Sequence, residues 1–276
     1  MGKVFSWNEI EEGKIPAIND FHIVCEKMKL KFSEMREIVG AAICGSILNE
    51  GIDIRSDIDA VIVYSESSRS IVIKAMQSLS LVAQELNVPI ELVLISDGQA
   101  RRSGHGIDRS FWEHLEHSVE NNGVIKINPQ ELIETKDTVL RDTKYCIARK
   151  GSVLEKRWAR ASIEDAGRYH FLEKLLSAPV YVARKVLRCH NSDLLKNGDS
   201  KKKVLEAYSN LFGDNPMVRL LHELVEFDKV YTEHLKMQIK EPQNKLYVKM
   251  LEEIEEQAPN VLLFLQENYR FLEDLE

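Results

Sequence analysis

The chain has 276 residues, of which 44% are hydrophobic and 29% charged, with a formal net charge of −7. This composition excludes collagen, low-complexity disorder and a disulfide scaffold, and the length suits two domains of about 140 residues. No apolar run approaches the ~20 residues needed to span a bilayer.

In chain order, residues 20–38 read as an amphipathic helix, with Phe21, Val24, Cys25, Met28 and Phe32 at helical spacing. Val39 to Ile43 reads as a short buried strand ending at Cys44-Gly45-Ser46. Residues 57–64 (DIDAVIVY) form a second strand. Residues 67–87 read as a helix with a serine available as cap, and its expected buried stripe is Ile71, Ile73, Met76, Leu79, Leu81, Val82 and Leu86. A third strand follows Pro89 at 90–96. The first hundred residues therefore spell an α/β unit with a small sheet.

Residues 97–106 are polar and Gly-containing and read as a loop. A helix at 110–121 and an edge strand at 123–128 are expected next. After Pro129 the strand signal fades. Residues 152–177, 179–190, 201–212 and 216–240 have helical periodicity, and 243–275 reads as one or two helices broken at Pro259. The expected fold class is an α/β (α+β) domain with a small mixed sheet over residues 1–135. An all-α helical domain over 136–276 follows it.

Charge is not spread evenly. Residues 1–140 carry 14 basic and 22 acidic groups, residues 141–203 carry 16 and 7, and residues 204–276 carry 7 and 15. A basic block between acidic ones either forms a local positive surface or pairs with its acidic neighbours. The N-terminus, MGKVFSWNEIEEGK, lacks the apolar core of a signal peptide. Cys25, Cys44, Cys146 and Cys189 are widely spaced with no CxxC pair. Together these features predict a cytoplasmic protein with reduced thiols and no membrane partner.

The residues that carry chemistry lie at the strand ends. Strand side chains alternate faces, so Asp57 and Asp59 point one way while Ile58 and Ala60 point into the fold. Two adjacent carboxylates repel, and a cation between them removes that cost. A hard divalent ion such as Mg²⁺ suits carboxylate oxygens and brings substrate phosphates with it. Upstream, Gly45 allows close backbone approach, and its N–H and the Ser46 hydroxyl can donate to phosphate oxygens. Glu91 opens the third strand and can join the first two acids around one or two metal ions. A pair of ions would stabilise both the attacking and leaving oxygens of an in-line phosphoryl displacement.

Gly45-Ser46, ten residues, then Asp57-Ile58-Asp59 with apolar flanks resembles the signature of the DNA polymerase beta-like nucleotidyltransferase superfamily. Gly51 falls where that signature often has a glycine. Glu91 matches the third acidic position in its smaller members, the minimal and kanamycin-type nucleotidyltransferases. The resemblance covers roughly residues 20–130. It implies two Mg²⁺ ions, a nucleoside triphosphate held by Gly45 and Ser46, and metals bound by Asp57 and Asp59. Glu91 would be the third ligand or would help deprotonate the acceptor hydroxyl. The acceptor could be a small molecule, an RNA end or a protein. One departure from the pattern is Glu50, where many members carry arginine. Arg55, Arg101, Arg102 or the basic block would then supply the phosphate-side charge.

Other features invite blander readings. His114 and His117, three apart on a helix, read as ordinary histidines without a third ligand nearby. The spacing of Arg184 and His190 resembles the RNA-cutting motif of HEPN helical bundles, but so short a motif recurs by chance in basic helices. Trp158, Tyr169, Phe171 and Tyr181 read as core packing rather than a base-stacking platform. The competing functional class is a non-catalytic nucleotide-binding protein, or an antitoxin-like protein that binds a partner.

Overall fold

A computed structural model of the chain describes residues 2–44, 47, 52–98, 136–161, 165–190 and 201–275. The chain divides into two compact units, Ile15–Ile133 and the combination of Met1–Lys14 with Glu134–Glu276. No helix among the described residues is long and apolar enough to cross a membrane. Among the described residues, a three-stranded mixed sheet and many helices give an α+β unit and a helical unit.

The first unit opens with helix α2 (Ile18–Glu34), the helix α1 (Trp7–Glu11) before it belonging to the other unit. The Asp20 carboxylate accepts from the Ala17 backbone N–H at 2.7 Å, tying down the start of α2. Strand β1 (Ile38–Cys44) follows, then β2 (Ile58–Tyr64), a short 3₁₀ turn, α3 (Arg69–Glu85) and β3 (Ile90–Ser96). The strand order is β1-β2-β3, with β1 antiparallel and β3 parallel to the central β2. A bulge between Ile38 and Gly40 shifts the β1–β2 register. A helical crossover is what a parallel neighbour requires, and α3 supplies it.

Strand parity divides the sheet cleanly. Ala41, Ile43, Ile58, Ala60, Ile62 and Tyr64 join one core with Phe21, Val24, Cys25, Met28 and Phe32 of α2 and Val72, Met76, Leu79 and Ala83 of α3. The α2 stripe is the one its spacing predicts. The α3 stripe is not. Only Met76 and Leu79 of the expected set are buried, while Ile71 is 52% and Leu81 60% exposed. The true stripe at 72, 76, 79 and 83 follows the i, i+4, i+7, i+11 rule, and it prefers small Ala83 to larger residues on the wrong face. Ser68 stands at the start of α3 but makes no side-chain cap.

The helical unit contains α4 (Lys136–Ala161), α5 (Asp165–His190), α6 (Lys201–Phe212), α7 (Pro216–Lys240), α8 (Asn244–Glu255) and α9 (Ala258–Glu273). The single helix expected over 152–177 falls on two helices, α4 and α5, with residues 162–164 outside the described residues. Pro179 does not begin a helix but lies inside α5. An interior proline costs about 3 kcal/mol. That cost is outweighed because α5 packs against α4, α6, α7, α8 and α9 and buries Phe171, Leu172, Leu175, Val182, Val186 and Leu187. Helices α6 and α7 begin and end where their periodicity places them, and Pro259 marks the α8–α9 break. The helix at 110–121 and the strand at 123–128 lie outside the described residues.

The first fourteen residues pack on the helical unit. Glu9 and Ser6 form a reciprocal cap on α1, with Glu9 N donating to Ser6 Oγ at 3.2 Å and Ser6 N to Glu9 Oε2 at 2.7 Å. The Tyr247 hydroxyl donates to the Phe5 carbonyl at 2.5 Å and accepts from Tyr231 at 3.0 Å. Phe5, Tyr231 and Tyr247 are all fully buried.

Candidate metal centre

The centre is built from one turn and two strand starts. Asp53 N–H donates to Ser56 Oγ at 2.9 Å, Ser56 N–H to Asp53 O at 3.0 Å, and Arg55 N–H to Asp53 Oδ1 at 2.8 Å. This closed Asx-type turn fixes the direction in which the chain enters β2. Ile58 N–H then donates to Pro89 O at 2.9 Å. That bond clamps the entry of β2 to the entry of β3, immediately beside Asp57.

The parallel register pairs Asp59 with Glu91, and the antiparallel register pairs Asp59 with Cys44. Ile58 and Ala60, flanking Asp59, are buried in the core, so Asp59 projects from the opposite face. One ligand oxygen each from Asp57, Asp59 and Glu91 lies within 4.8 Å of the others. Asp57 and Asp59 are half-buried and Glu91 is exposed. The structure thus brings together the three acids that the sequence singled out, from two strand starts.

Three carboxylates at this separation repel by about 1 kcal/mol per pair even at the dielectric of water. A cation among them converts that repulsion into coordination. The donor set is all oxygen and triply negative, which suits Mg²⁺ or Ca²⁺ and not the softer metals. Two ligand oxygens on one Mg²⁺ lie at most about 4.2 Å apart. The 4.8 Å within which the trio's oxygens lie is close to that span.

Gly45 and Ser46 follow β1 in sequence and lie outside the described residues, as do Glu50, Gly51, Arg101, Arg102, His114 and His117. Arg55 is described and only 2% exposed, which makes it the bulkiest fully buried side chain in the molecule among the described residues. Its guanidinium is packed inside the fold two residues before Asp57 rather than spread on the surface. Hydrophobic periodicity does not point to the Asp53–Ser56 turn or the Pro89 clamp. The Asp-x-x-Ser spacing carried the signal for the first.

On the helical unit, Arg184 and His190 share α5 but are six residues apart, so they point about 120° away from each other. Of Trp158, Tyr169, Phe171 and Tyr181, Phe171 is buried and stacks on Trp158 at 6.4 Å between ring centroids. Tyr181 is half-buried, with Lys150 Nζ 3.9 Å and Lys185 Nζ 5.6 Å from its ring centroid. Its ring is committed to the protein's own ammonium groups. The buried Cys25 thiol is pushed above its ordinary value by burial, which marks it as an inert core residue. No family model matches the chain, and no curated protein matches it either.

Proposed function

We propose that this chain is a metal-dependent nucleotidyltransferase, moving a nucleoside monophosphate from a nucleoside triphosphate to a hydroxyl acceptor. The observation that carries the reading is the register of β2 and β3. It sets Asp59 beside Glu91, with Asp57 completing a trio whose oxygens lie within 4.8 Å of one another. A cation-binding carboxylate cluster on adjacent strand starts is what phosphoryl transfer needs, and the Gly45-Ser46 pair precedes it in the spacing of the polymerase beta-like superfamily.

In this reading Asp57 and Asp59 hold two Mg²⁺ ions, which when bound neutralise the triphosphate and the charge developing at the reacting phosphorus. Gly45 and Ser46 donate to the triphosphate oxygens. The acceptor oxygen forms a bond to the α-phosphorus as the bond from that phosphorus to the bridging oxygen breaks. Pyrophosphate leaves with the bonding pair. Glu91 supports the metal site or takes the proton of the acceptor hydroxyl.

The test is calorimetry with each of the four ribonucleoside triphosphates and Mg²⁺, on the wild type and on Asp57→Asn/Asp59→Asn. Binding that requires Mg²⁺ and disappears in the double variant supports the reading. It also identifies the base for an acceptor screen with α-phosphate-labelled nucleotide. A folded wild type that binds no triphosphate, with or without acceptors present, sinks it in favour of a partner-binding protein.

A further inference from the structure

The helical unit carries a second surface that the carboxylate trio does not use. Helix α4 spans 26 residues. At about 100° per residue, positions 141, 145, 149, 152, 156 and 160 fall within an arc of about 100° and run along about 28 Å of helix. They are Arg141, Tyr145, Arg149, Ser152, Lys156 and Arg160, and every one is exposed. The opposite face, with Thr143, Ile147, Leu154 and Ala161, is buried. The stripe is thus the outward face of a helix whose inward face is committed to the unit's core.

The bland reading of a basic block is that acidic neighbours neutralise it. For this stripe they do not. Among the described residues, Arg141, Arg149, Lys156 and Arg160 make no ion pair, although Asp142 and Glu155 sit exposed at the two edges of the arc. By contrast Arg168, on α5, binds Glu255 at 3.0 Å. Between Arg141 and Arg149 stands Tyr145, at 65% exposure the most exposed large apolar side chain among the described residues. A tyrosine ring left in water on a face with four cations needs a reason that packing does not provide.

We infer that this face of α4 binds single-stranded nucleic acid, the cations taking backbone phosphates and Tyr145 stacking on a base. Arginine and lysine spaced one or two turns apart follow a phosphate backbone, and an aromatic between them offers a platform for a base of any identity. A duplex buries its base faces in the stack and offers a helix only phosphates and base edges, which leaves the ring without a stacking partner, whereas a single strand exposes its base faces. An anionic membrane would call for several apolar residues on the same face, and here there is one. The inference concerns binding and goes beyond the chemistry proposed for the carboxylates.

The test uses fluorescence anisotropy with labelled oligo-uridine and oligo-thymidine of about a dozen nucleotides, a matching duplex, and heparin as a polyanion without bases. The wild type is expected to prefer the single strands, with affinity falling by a log–log salt slope near −3 for four contacted phosphates. Arg149→Gln/Lys156→Gln should reduce that slope by about 1.4 and weaken binding roughly 25-fold at about 0.1 M salt. Tyr145→Ala should weaken binding by about fivefold or more while Tyr145→Phe keeps it. The two oligonucleotides separate RNA from DNA as the natural strand. Heparin binding as tight as the oligonucleotides, or a Tyr145→Ala variant that binds as the wild type does, overturns the inference and leaves a generic anion surface. All these substitutions are on an exposed face, so folding is retained. Magnesium-dependent triphosphate binding by the same variants, measured separately, shows whether a failure belongs to this inference or to the proposed chemistry.

Discussion

Two polar clusters, one in each unit, are built in opposite ways. In the helical unit the buried hydroxyls satisfy one another: Tyr231 donates to Tyr247, Tyr247 to the Phe5 carbonyl, and Tyr208 to Asn268 Oδ1 at 2.8 Å, while Asn268 donates to Phe264 O at 2.8 Å. The buried Asp228 is paired with Lys201. In the α/β unit the strand register instead gathers three like charges at one end of the sheet. Donors matched to acceptors stabilise a fold with no outside help. Like charges held close by backbone geometry repel one another, and a cation among them would offset that repulsion. That difference separates a structural polar network from a candidate site without appeal to any relative.

The sharpest way to break the comparison is in the helical unit. Tyr247→Phe removes the hydroxyl that links Tyr231 to the Phe5 carbonyl, leaving two buried groups without that partner at about 1–3 kcal/mol each. A total loss of about 2–4 kcal/mol is expected in urea unfolding. Tyr231→Phe leaves the bond to Phe5 in place and should cost about 1 kcal/mol. If Tyr231→Phe proves the more damaging, the chain of donors does not run toward the N-terminal segment and the network is not what holds it.

Tyr208 gives a smaller, pH-dependent test. Burial pushes its phenol above the ordinary tyrosine value, and the hydrogen bond with Asn268 offsets only part of that shift. The folded state therefore keeps a proton that the unfolded state releases near its ordinary value of about 10. Stability from this group is intact below that pH and falls as pH rises beyond it, by up to about 1.4 kcal/mol per pH unit. Urea midpoints compared between about pH 9 and about pH 11 should show this alkaline slope. Tyr208→Phe should flatten it, and an unchanged slope in that variant would assign the effect elsewhere.

How far the sequence reveals these features depends on whether the governing geometry is local. The α2 stripe is legible because Phe21, Val24, Cys25, Met28 and Phe32 are the residues that one helical face demands, and all are buried. Helix α3 is apolar on several sides, so bulk misleads: Ile71 and Leu81 outweigh Val72 and Ala83 in hydrophobicity yet face outward. Asp57, Asp59 and Glu91 are legible as candidates because each stands at a strand start. Their meeting is not, because it requires the parallel pairing of Asp59 with Glu91 and the Ile58–Pro89 bond. The tether from Tyr247 to Phe5 joins residues 242 positions apart, and no local pattern encodes it. Pro179 shows the reverse case, a strong local signal overridden by packing on every side of α5.

The smallest expected effect is the most informative about the α/β unit, because its sign changes. Like charges directly opposite one another on paired strands destabilise by up to about 1 kcal/mol. Asp59→Asn keeps the shape of the side chain and removes one charge from the pair with Glu91. On that repulsion alone, the variant in buffer with chelator should be slightly more stable than the wild type, by a fraction of that amount. Adding Mg²⁺ should reverse the order. A wild-type site loaded at a hundred times its dissociation constant gains about 2.7 kcal/mol, and a site lacking one carboxylate gains less at the same concentration. Thermal melts of the two proteins across a Mg²⁺ titration should cross. Curves that stay parallel would mean the carboxylates do not share an ion, and the trio would then be a solvated strand edge. A variant already less stable in chelator would mean that Asp59 supports the fold through its neighbours, and the contrast between the two units would lose its α/β half.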